Sequence, residues 1–293
     1  MALLTNPTSG KGRGARGREA ALDVLRGTDV TVLDLVGTDA DEALARSAVP
    51  EVDVLVVCGG DGLVHLAVQA LAGTGTALGV VPAGTGNDVA RYLGLPRRDP
   101  AAATHVVLDA LRHPEDPRRR RRIDLARAGD KHFVTVLAAG FDAKVNERAN
   151  AMTWPHGQMR YNIATLAELR TFTPISYTLD LDGETRSLEA MMVAVGNGPS
   201  FGGGLRITEG AVLDDGLLDV VIIKPMGKGE LVRTYPKLFS GTHTTHRQYE
   251  HHRVRRVTVA APGILTYADG ERFGPLPMTV ECAPGALEVL TPA

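Results

Sequence analysis

The sequence predicts an α/β nucleotide-binding domain with a mostly parallel sheet, followed by a mostly antiparallel β-sandwich domain. Three observations carry that expectation. Apolar runs alternate with helical patterns through the first hundred or so residues, as in a parallel sheet with helices on both faces. Glycine-rich turns stand at 7–14, 59–62 and 82–87, after three of those runs. From Ile123 onward short alternating runs separated by turn signals take over, the texture of antiparallel β structure.

In chain order, Ala2 to Asn6 is a strand closed by an Asn-Pro turn. The stretch TSGKGRGARG that follows is not a Walker A loop, because Gly12 stands where Ser or Thr is required after Lys11. Gly12, Gly14 and Gly17 satisfy G-x-G-x-x-G with Asp34 further on, but five residues separate the fingerprint from its strand. A phosphate-facing loop carrying Lys11 suits the stretch better. Val30 to Val36 reads as the second strand, and Thr38 is expected to cap the next helix, with Asp41 completing a box-like start. Asp53 to Cys58 is a strand buried on both faces. The helix behind Gly59-Gly60-Asp61-Gly62 places Leu63, Leu66, Ala67, Ala70 and Leu71 on one face. Ala77 to Val81 is the fourth strand, stopped by Pro82, and VVPAGTGNDVARYLG turns it into a helix near Asn87-Asp88. A helix over Pro100–Arg112 precedes PEDPRRRRR, where Arg118 to Arg122 read as a solvated linker or as a site attracting ATP or anionic headgroups.

The second half reads IDLARA, HFVTVLA, ISYTLDLDG, SLEAMMVAVGN, LLDVVII, HRVRRVTVAA, MTVECA and LEVLT. Asp182-Gly183 has the composition of a type I′ hairpin turn. Asn146 to Arg170 and Gly229 to Phe239 are helical insertions; Met152, Trp154, Met159 and Tyr161 in the first are either core or the rim of an apolar pocket. The expected domains are residues 1–122 for the nucleotide and 123–283 for the β-rich part, with residues from about 284 to 293 returning to the first.

Composition narrows the function. A net charge of -2 argues against a general nucleic-acid binder. Cys58 and Cys282 are the only cysteines and have no metal-ligand spacing, which fits a reducing cytosol. No apolar run reaches the ~20 residues of a membrane span, and the start runs straight into a strand rather than a signal peptide. The expected location is the cytoplasm, with peripheral contact at the inner face of the membrane.

In a parallel sheet ligands bind beyond the carboxyl ends of the strands, where all three glycine turns fall. Such turns present backbone N–H groups and helix N-termini, which suit phosphates. Asp61 puts a carboxylate in the same edge. In the second half Asp215, within LDDGLLD, suits a hard cation such as Mg²⁺ or Ca²⁺. Glu271 stands in an Asp-Gly-Glu turn, where a carboxylate could accept a hydroxyl proton. His243, His246, His251 and His252 lack firm ligand spacing for zinc.

Taken together, NPTSGKG, CGGDG, VPAGTGNDVAR, RIDLA, AAGFDA, VGNGPSFGGG, ITEGAVLDDGLLDV and ADGE resemble the diacylglycerol kinase catalytic family, which includes soluble bacterial diacylglycerol kinases and sphingosine kinases. Gly-Gly-Asp-Gly is shared with NAD kinases, whereas Gly84-Thr85-Gly86-Asn87-Asp88 points to the lipid branch. The resemblance implies a two-domain enzyme binding ATP in the cleft between domains and phosphorylating a lipid alcohol, with diacylglycerol as default. It implies that Asn6, Gly59, Gly60, Asp61, Gly62, Gly84, Thr85 and Asn87 hold the nucleotide and that Asp61 orients Mg²⁺ on the phosphates. Asp124 would support the site from the linker side, and Glu271 would be the base. Asp215, with carbonyls near Val212 and Leu217, would hold a second, structural Mg²⁺. Leu63, His65 and Leu66 depart from the Thr and Asn-Glu of many bacterial members, so the glutamate's contribution is missing here.

The alternatives are an NAD kinase-like phosphotransferase, a non-catalytic nucleotide- or lipid-binding relative, and a dinucleotide-dependent oxidoreductase, for which no catalytic acid is identifiable. Edge strands of the β domain could pair two copies into a homodimer.

Overall fold

The computed structural model describes residues 1–47, 52–154, 163–164, 167–168 and 173–293. The chain divides into two units, Met1–Leu125 with Ala283–Ala293, and Ala126–Cys282.

In the first unit, β1 (Ala2–Thr5), β2 (Leu33–Val36), β3 (Val54–Gly59) and β4 (Ala77–Pro82) are parallel in the order β2-β1-β3-β4. β3 and β4 are buried at every position, as continuous apolar runs between two helical layers should be. Helices α1 (Ser9–Leu25), α2 (Ala40–Ser47), α3 (Asp61–Leu71), α4 (Asp88–Tyr92) and α5 (Pro100–Arg112) complete the unit. Asp99 caps α5 by accepting from the Ala102 N–H, and Pro100 fills its first turn.

Several expectations are corrected here. The glycine-rich stretch is shorter as a loop than expected: Gly10, Lys11 and Gly12, all at positive φ, form a left-handed kink, and α1 is regular from Arg13 onward. Asp39, not Thr38, caps α2, accepting from the Glu42 N–H at 2.8 Å, while the Glu42 carboxylate reaches back to Thr38. β4 ends at Pro82, as expected, with Pro82 as its last paired residue opposite Gly59. In α3 the buried face is Leu63, Val64, Ala67, Val68 and Leu71, so Leu66 and Ala70 turn away from it.

The arginine run is not a linker either. Arg120–Arg122 open β5 (Arg120–Ala128). Arg118 and Arg119 pair with Asp116, Arg119 also with Asp109, and Arg120 with Glu288. β16 (Met278–Leu290) is one long strand where two runs were expected, and its last residues return to the first unit beside β4, Val289 opposite Leu78.

The second unit is antiparallel. β13 (Arg256–Ala260) lies between the start of β16 and β8 (Ile175–Leu181), which pairs with β9 (Glu184–Ala190) through Asp182-Gly183. Both turn residues have positive φ, the requirement of a type I′ turn. β6 (Lys131–Phe133) pairs with β5. A six-stranded sheet runs β12 (Tyr249–Val254), β11 (Leu218–Ile223), β10 (Met192–Gly196), β7 (Val136–Gly140), β14 (Leu265–Ala268) and β15 (Glu271–Pro275).

This sheet is covered on both faces. On one, Leu137, Val193, Val220 and Ala268 meet Tyr177, Leu179, Val257 and Val280 in the sandwich core. On the other, Val136, Ala194 and Val221 meet Phe141 and Val145 of α6 (Phe141–Ala151) and Leu231 and Leu238 of α7 (Lys228–Ser240). Met152 packs against this second core and Trp154 is 74% exposed; Met159 and Tyr161 lie outside the described residues.

Candidate active site

The turns after β1, β3 and β4 are pressed together main chain to main chain. A Cβ on Gly84 would stand 2.5 Å from Gly60 Cα and 2.7 Å from Asn87 Oδ1. One on Gly10 would stand 2.2 Å from the Ala83 carbonyl oxygen, and one on Gly14 2.0 Å from that of Asn6. No side chain fits at these positions, so at the carboxyl edge of the sheet the turns meet as bare main chain, beside helix starts of the kind that bind phosphates. Gly14 and Gly17, which meet Asn6 and Cys58 Sγ, serve the packing of α1, and Asp34 is taken by Arg18. This removes the basis for a dinucleotide fingerprint there.

The two asparagines shape the turns. Asn6 Oδ1 accepts from the Thr8 N–H at 3.0 Å and its hydroxyl at 2.7 Å, an Asx turn. Asn87, at φ 53°, accepts from the Gly84 N–H at 2.9 Å and donates to the Gly84 carbonyl at 3.2 Å. Thr85 stands exposed inside the turn that Asn87 closes. Gly59 ends β3 and accepts from the Ala83 N–H at 2.7 Å, Gly60 precedes α3, and Gly62 lies in its first turn.

Asp61 does structural work that the sequence did not reveal. Its Oδ1 accepts from the Asp88 N–H at 2.7 Å and the Val89 N–H at 3.4 Å, so it caps α4 from the neighbouring turn. Burial, with the charge of Asp88 adding to it, pushes the carboxyl up from 3.8 to about 6, against the backbone donors that favour its charged form. Between about pH 4 and about pH 6 the folded chain therefore keeps a proton that the unfolded chain has lost. Stability from this group is full below that window and falls as pH rises through it, by roughly 2–3 kcal/mol. Asp61→Asn, which keeps the acceptor oxygen, is expected to flatten that slope in urea titrations across the window. An unchanged slope would locate the titration elsewhere.

Asp124, in β5, is 3% exposed and accepts from the Gly285 N–H at 2.7 Å, tying β5 to β16 within the first unit. Cys58 is buried and its thiol is pushed up to about 12 by desolvation, which leaves it no nucleophilic character.

In the second unit Glu271 opens β15 and is exposed. Before it, Asp269 and Gly270 form a two-residue turn, both at positive φ. Asp269 is the residue sequence reasoning missed: it accepts from the Thr135 N–H at 2.8 Å, the Thr135 hydroxyl at 2.6 Å and the Val134 N–H at 3.2 Å. The available signal was its place as the left-handed residue of an Asp-Gly turn.

Asp215 accepts from the Leu217 N–H at 3.0 Å and pairs with Arg253, so a cation there would have to displace that guanidinium. Among the described residues no group of three or more His, Cys, Asp or Glu side chains stands together as a metal site. The histidines pair separately: His246 with Glu230, His251 with Asp219, His252 with Glu250, and His243 with the Ile207 carbonyl. Beneath α7 lies an apolar cavity of about 30 Å³, lined by Phe141, Met191, Met192, Ile223, Leu231 and Leu238.

Residues 1–119 match the family model described as the diacylglycerol kinase catalytic domain. Residues 135–291 match that of the YegS C-terminal NAD kinase beta sandwich-like domain. A diacylglycerol kinase of Mycobacterium tuberculosis is 43% identical over 301 residues, covering 100% of this chain and 95% of that protein. The chain belongs to the diacylglycerol kinase family. It is thereby a lipid kinase by family, with the α/β and antiparallel architecture the sequence predicted. A diacylglycerol kinase of Bacillus subtilis is 28% identical over 243 residues, 82% of this chain and 78% of that protein. The fold is that of a diacylglycerol kinase structure from Bacillus anthracis, with TM-score 0.79 and 23% identity over 99% of this chain and 96% of that one. An NAD kinase from Archaeoglobus fulgidus, solved in complex with ATP, shares the fold more distantly, with TM-score 0.55 and 14% identity over 99% and 93% of the two chains.

Proposed function

We propose that this family member transfers the γ-phosphoryl group of ATP to the hydroxyl of a lipid alcohol, with diacylglycerol as the first candidate and phosphatidic acid as its product. The observation that carries the phosphoryl-transfer reading is the Gly60–Gly84 junction, where two turns meet without side chains and leave main chain for phosphates. Asn6 and Asn87 hold these turns in shape, Gly59, Gly62 and Gly84 keep them open, and the exposed Thr85 offers a hydroxyl. Asp61 spends one carboxylate oxygen on α4, and the other suits Mg²⁺, which takes one or two carboxylates together with substrate phosphates. When bound, the ion neutralises charge on those phosphates. Asp124 keeps β5 in register with the returning strand and acts through position.

Glu271 is the proposed base. Its carboxylate takes the proton of the lipid hydroxyl as that oxygen bonds to the γ-phosphorus, and ADP leaves with the electrons of the broken P–O bond. The match of residues 1–119 to the diacylglycerol kinase catalytic domain, and the 43% identity to a diacylglycerol kinase, favour a lipid acceptor over NAD. Such an acceptor would be met at the cytoplasmic face of the membrane, by peripheral contact; no described helix is long and apolar enough to cross it.

The reading is tested by incubating the purified chain with γ-labelled ATP and Mg²⁺, with dispersed diacylglycerol, total lipid extract or NAD in parallel. Label is expected in the lipid phase with diacylglycerol and absent from NAD. Labelled NADP with an unlabelled lipid phase would establish the NAD kinase alternative, and no transfer to any acceptor a non-catalytic relative.

A further inference from the structure

Six large apolar side chains stand exposed among the described residues, and two of them, Val232 at 48% and Phe239 at 41%, lie on α7. With the exposed Pro236 between them they follow i, i+4, i+7 spacing, one stripe along the helix. The adjoining side of α7 is already used: Leu231 and Leu238 are buried in the core that lines the apolar cavity. Tyr235 joins the two sides, lining the cavity and meeting Phe239 edge to face at 5.8 Å. A helix inside a folded unit needs one apolar side to bury, and on this one the apolar arc runs on past the buried part into solvent.

Charge says what the second side meets. Arg233 and Lys237 stand exposed beside the stripe, and among the described residues neither has a carboxylate within ion-pair distance. Lys228 opens the helix, and the helix's one acid, Glu230, is held by Arg247 at 3.2 Å and His246 at 3.4 Å. Apolar stripe, adjoining basic row and neutralised acid together form the pattern of a helix lying in an anionic interface, apolar groups sunk to the acyl boundary and long cationic side chains reaching the headgroups.

We propose that α7 is the membrane-docking element of this protein, seating Val232, Pro236 and Phe239 in an anionic phospholipid surface with Arg233 and Lys237 at its phosphates. The inference rests on the lipid-kinase reading for its purpose. The docking helix is also the roof of the apolar cavity.

The test is co-sedimentation with phosphatidylglycerol–phosphatidylcholine vesicles and with pure phosphatidylcholine vesicles, without ATP. The wild-type chain is expected to bind the anionic vesicles. Val232→Ser with Phe239→Ser is expected to weaken that binding at least tenfold, and Arg233→Ser with Lys237→Ser to remove the preference for phosphatidylglycerol. Both double variants are expected to keep the far-UV circular dichroism of the wild type and its activity on detergent-dispersed lipid. Wild-type vesicle binding by both variants overturns the proposal. So does a wild-type dimer that Val232→Ser with Phe239→Ser converts to monomer, since the stripe then belongs to a second copy. Binding through α7 by a chain that phosphorylates no lipid leaves the docking inference standing and sinks the proposed function. Lipid phosphorylation by a chain whose vesicle binding does not depend on α7 does the reverse.

Discussion

Glu271→Gln is expected to lower kcat by about 10²–10⁴-fold, the range lost when a positioned general base is removed. The glutamine keeps the length and shape of the side chain and can still hydrogen-bond a hydroxyl, but it cannot take the proton. Because Glu271 is exposed and its side chain holds no hydrogen bond or ion pair among the described residues, the melting temperature should move by no more than about 1 °C, as for surface substitutions generally. The KM for ATP should also stay where it is, since the proposed nucleotide groups lie on other elements. The loss should therefore fall on kcat and kcat/KM together, the signature of an interaction made in the transition state. Steady-state kinetics with dispersed diacylglycerol at saturating ATP checks this. Turnover at the wild-type rate would remove Glu271 from the chemistry and leave phosphoryl transfer to positioning and charge alone.

What the sequence made legible follows the range of the interactions. β3, β4 and α5 were readable because their signals are local: continuous apolar runs, and Asp99-Pro100 at a helix start. The three glycine turns were readable as turns. That Gly60 and Gly84 touch was not, because the contact joins two loops on different strands. Asp61 looked like a ligand for phosphate-bound metal, yet its visible partners are N–H groups 27 and 28 residues away. No spacing rule links a carboxylate in one turn to the start of the helix after the next. The arginine run failed as a linker for the same reason. Five cations in a row look solvated until Asp109 and Glu288 come in from other elements to pair with Arg119 and Arg120, and Asp116 next door holds Arg118 and Arg119. The α3 face was misread because Val64 and Val68 are as apolar as Leu66 and Ala70, and only the packing partner decides between two adjoining stripes. The α7 stripe was hidden differently: the helix itself was legible over Gly229 to Phe239, through Pro236, but which part of its apolar arc the core would cover was not.

Asp269→Ala is expected to cost about 3–5 kcal/mol. Its carboxylate is buried and takes three donors, the Val134 and Thr135 N–H groups and the Thr135 hydroxyl. Hydrogen bonds to a charged acceptor are worth about 1.5–3 kcal/mol each, and donors left buried without an acceptor cost about 1–3 kcal/mol each. They share one carboxylate and are not additive, so the sum is an upper bound. The backbone adds to it, because Asp269 sits at φ 53°, where alanine is disfavoured and aspartate and asparagine are tolerated. At roughly 2–4 °C per kcal/mol the melting temperature should fall by about 10 °C. Asp269→Asn keeps the left-handed preference and one acceptor oxygen, and should recover about half of that loss. Activity separates the two further. Asp269 fixes the turn that presents Glu271, so in the alanine variant kcat should fall even at temperatures where it is fully folded, while the asparagine variant keeps most of it. Thermal melts paired with kinetics at low temperature read both effects. An alanine variant that melts early yet turns over normally when folded would show that the turn holds the sandwich together without positioning the base.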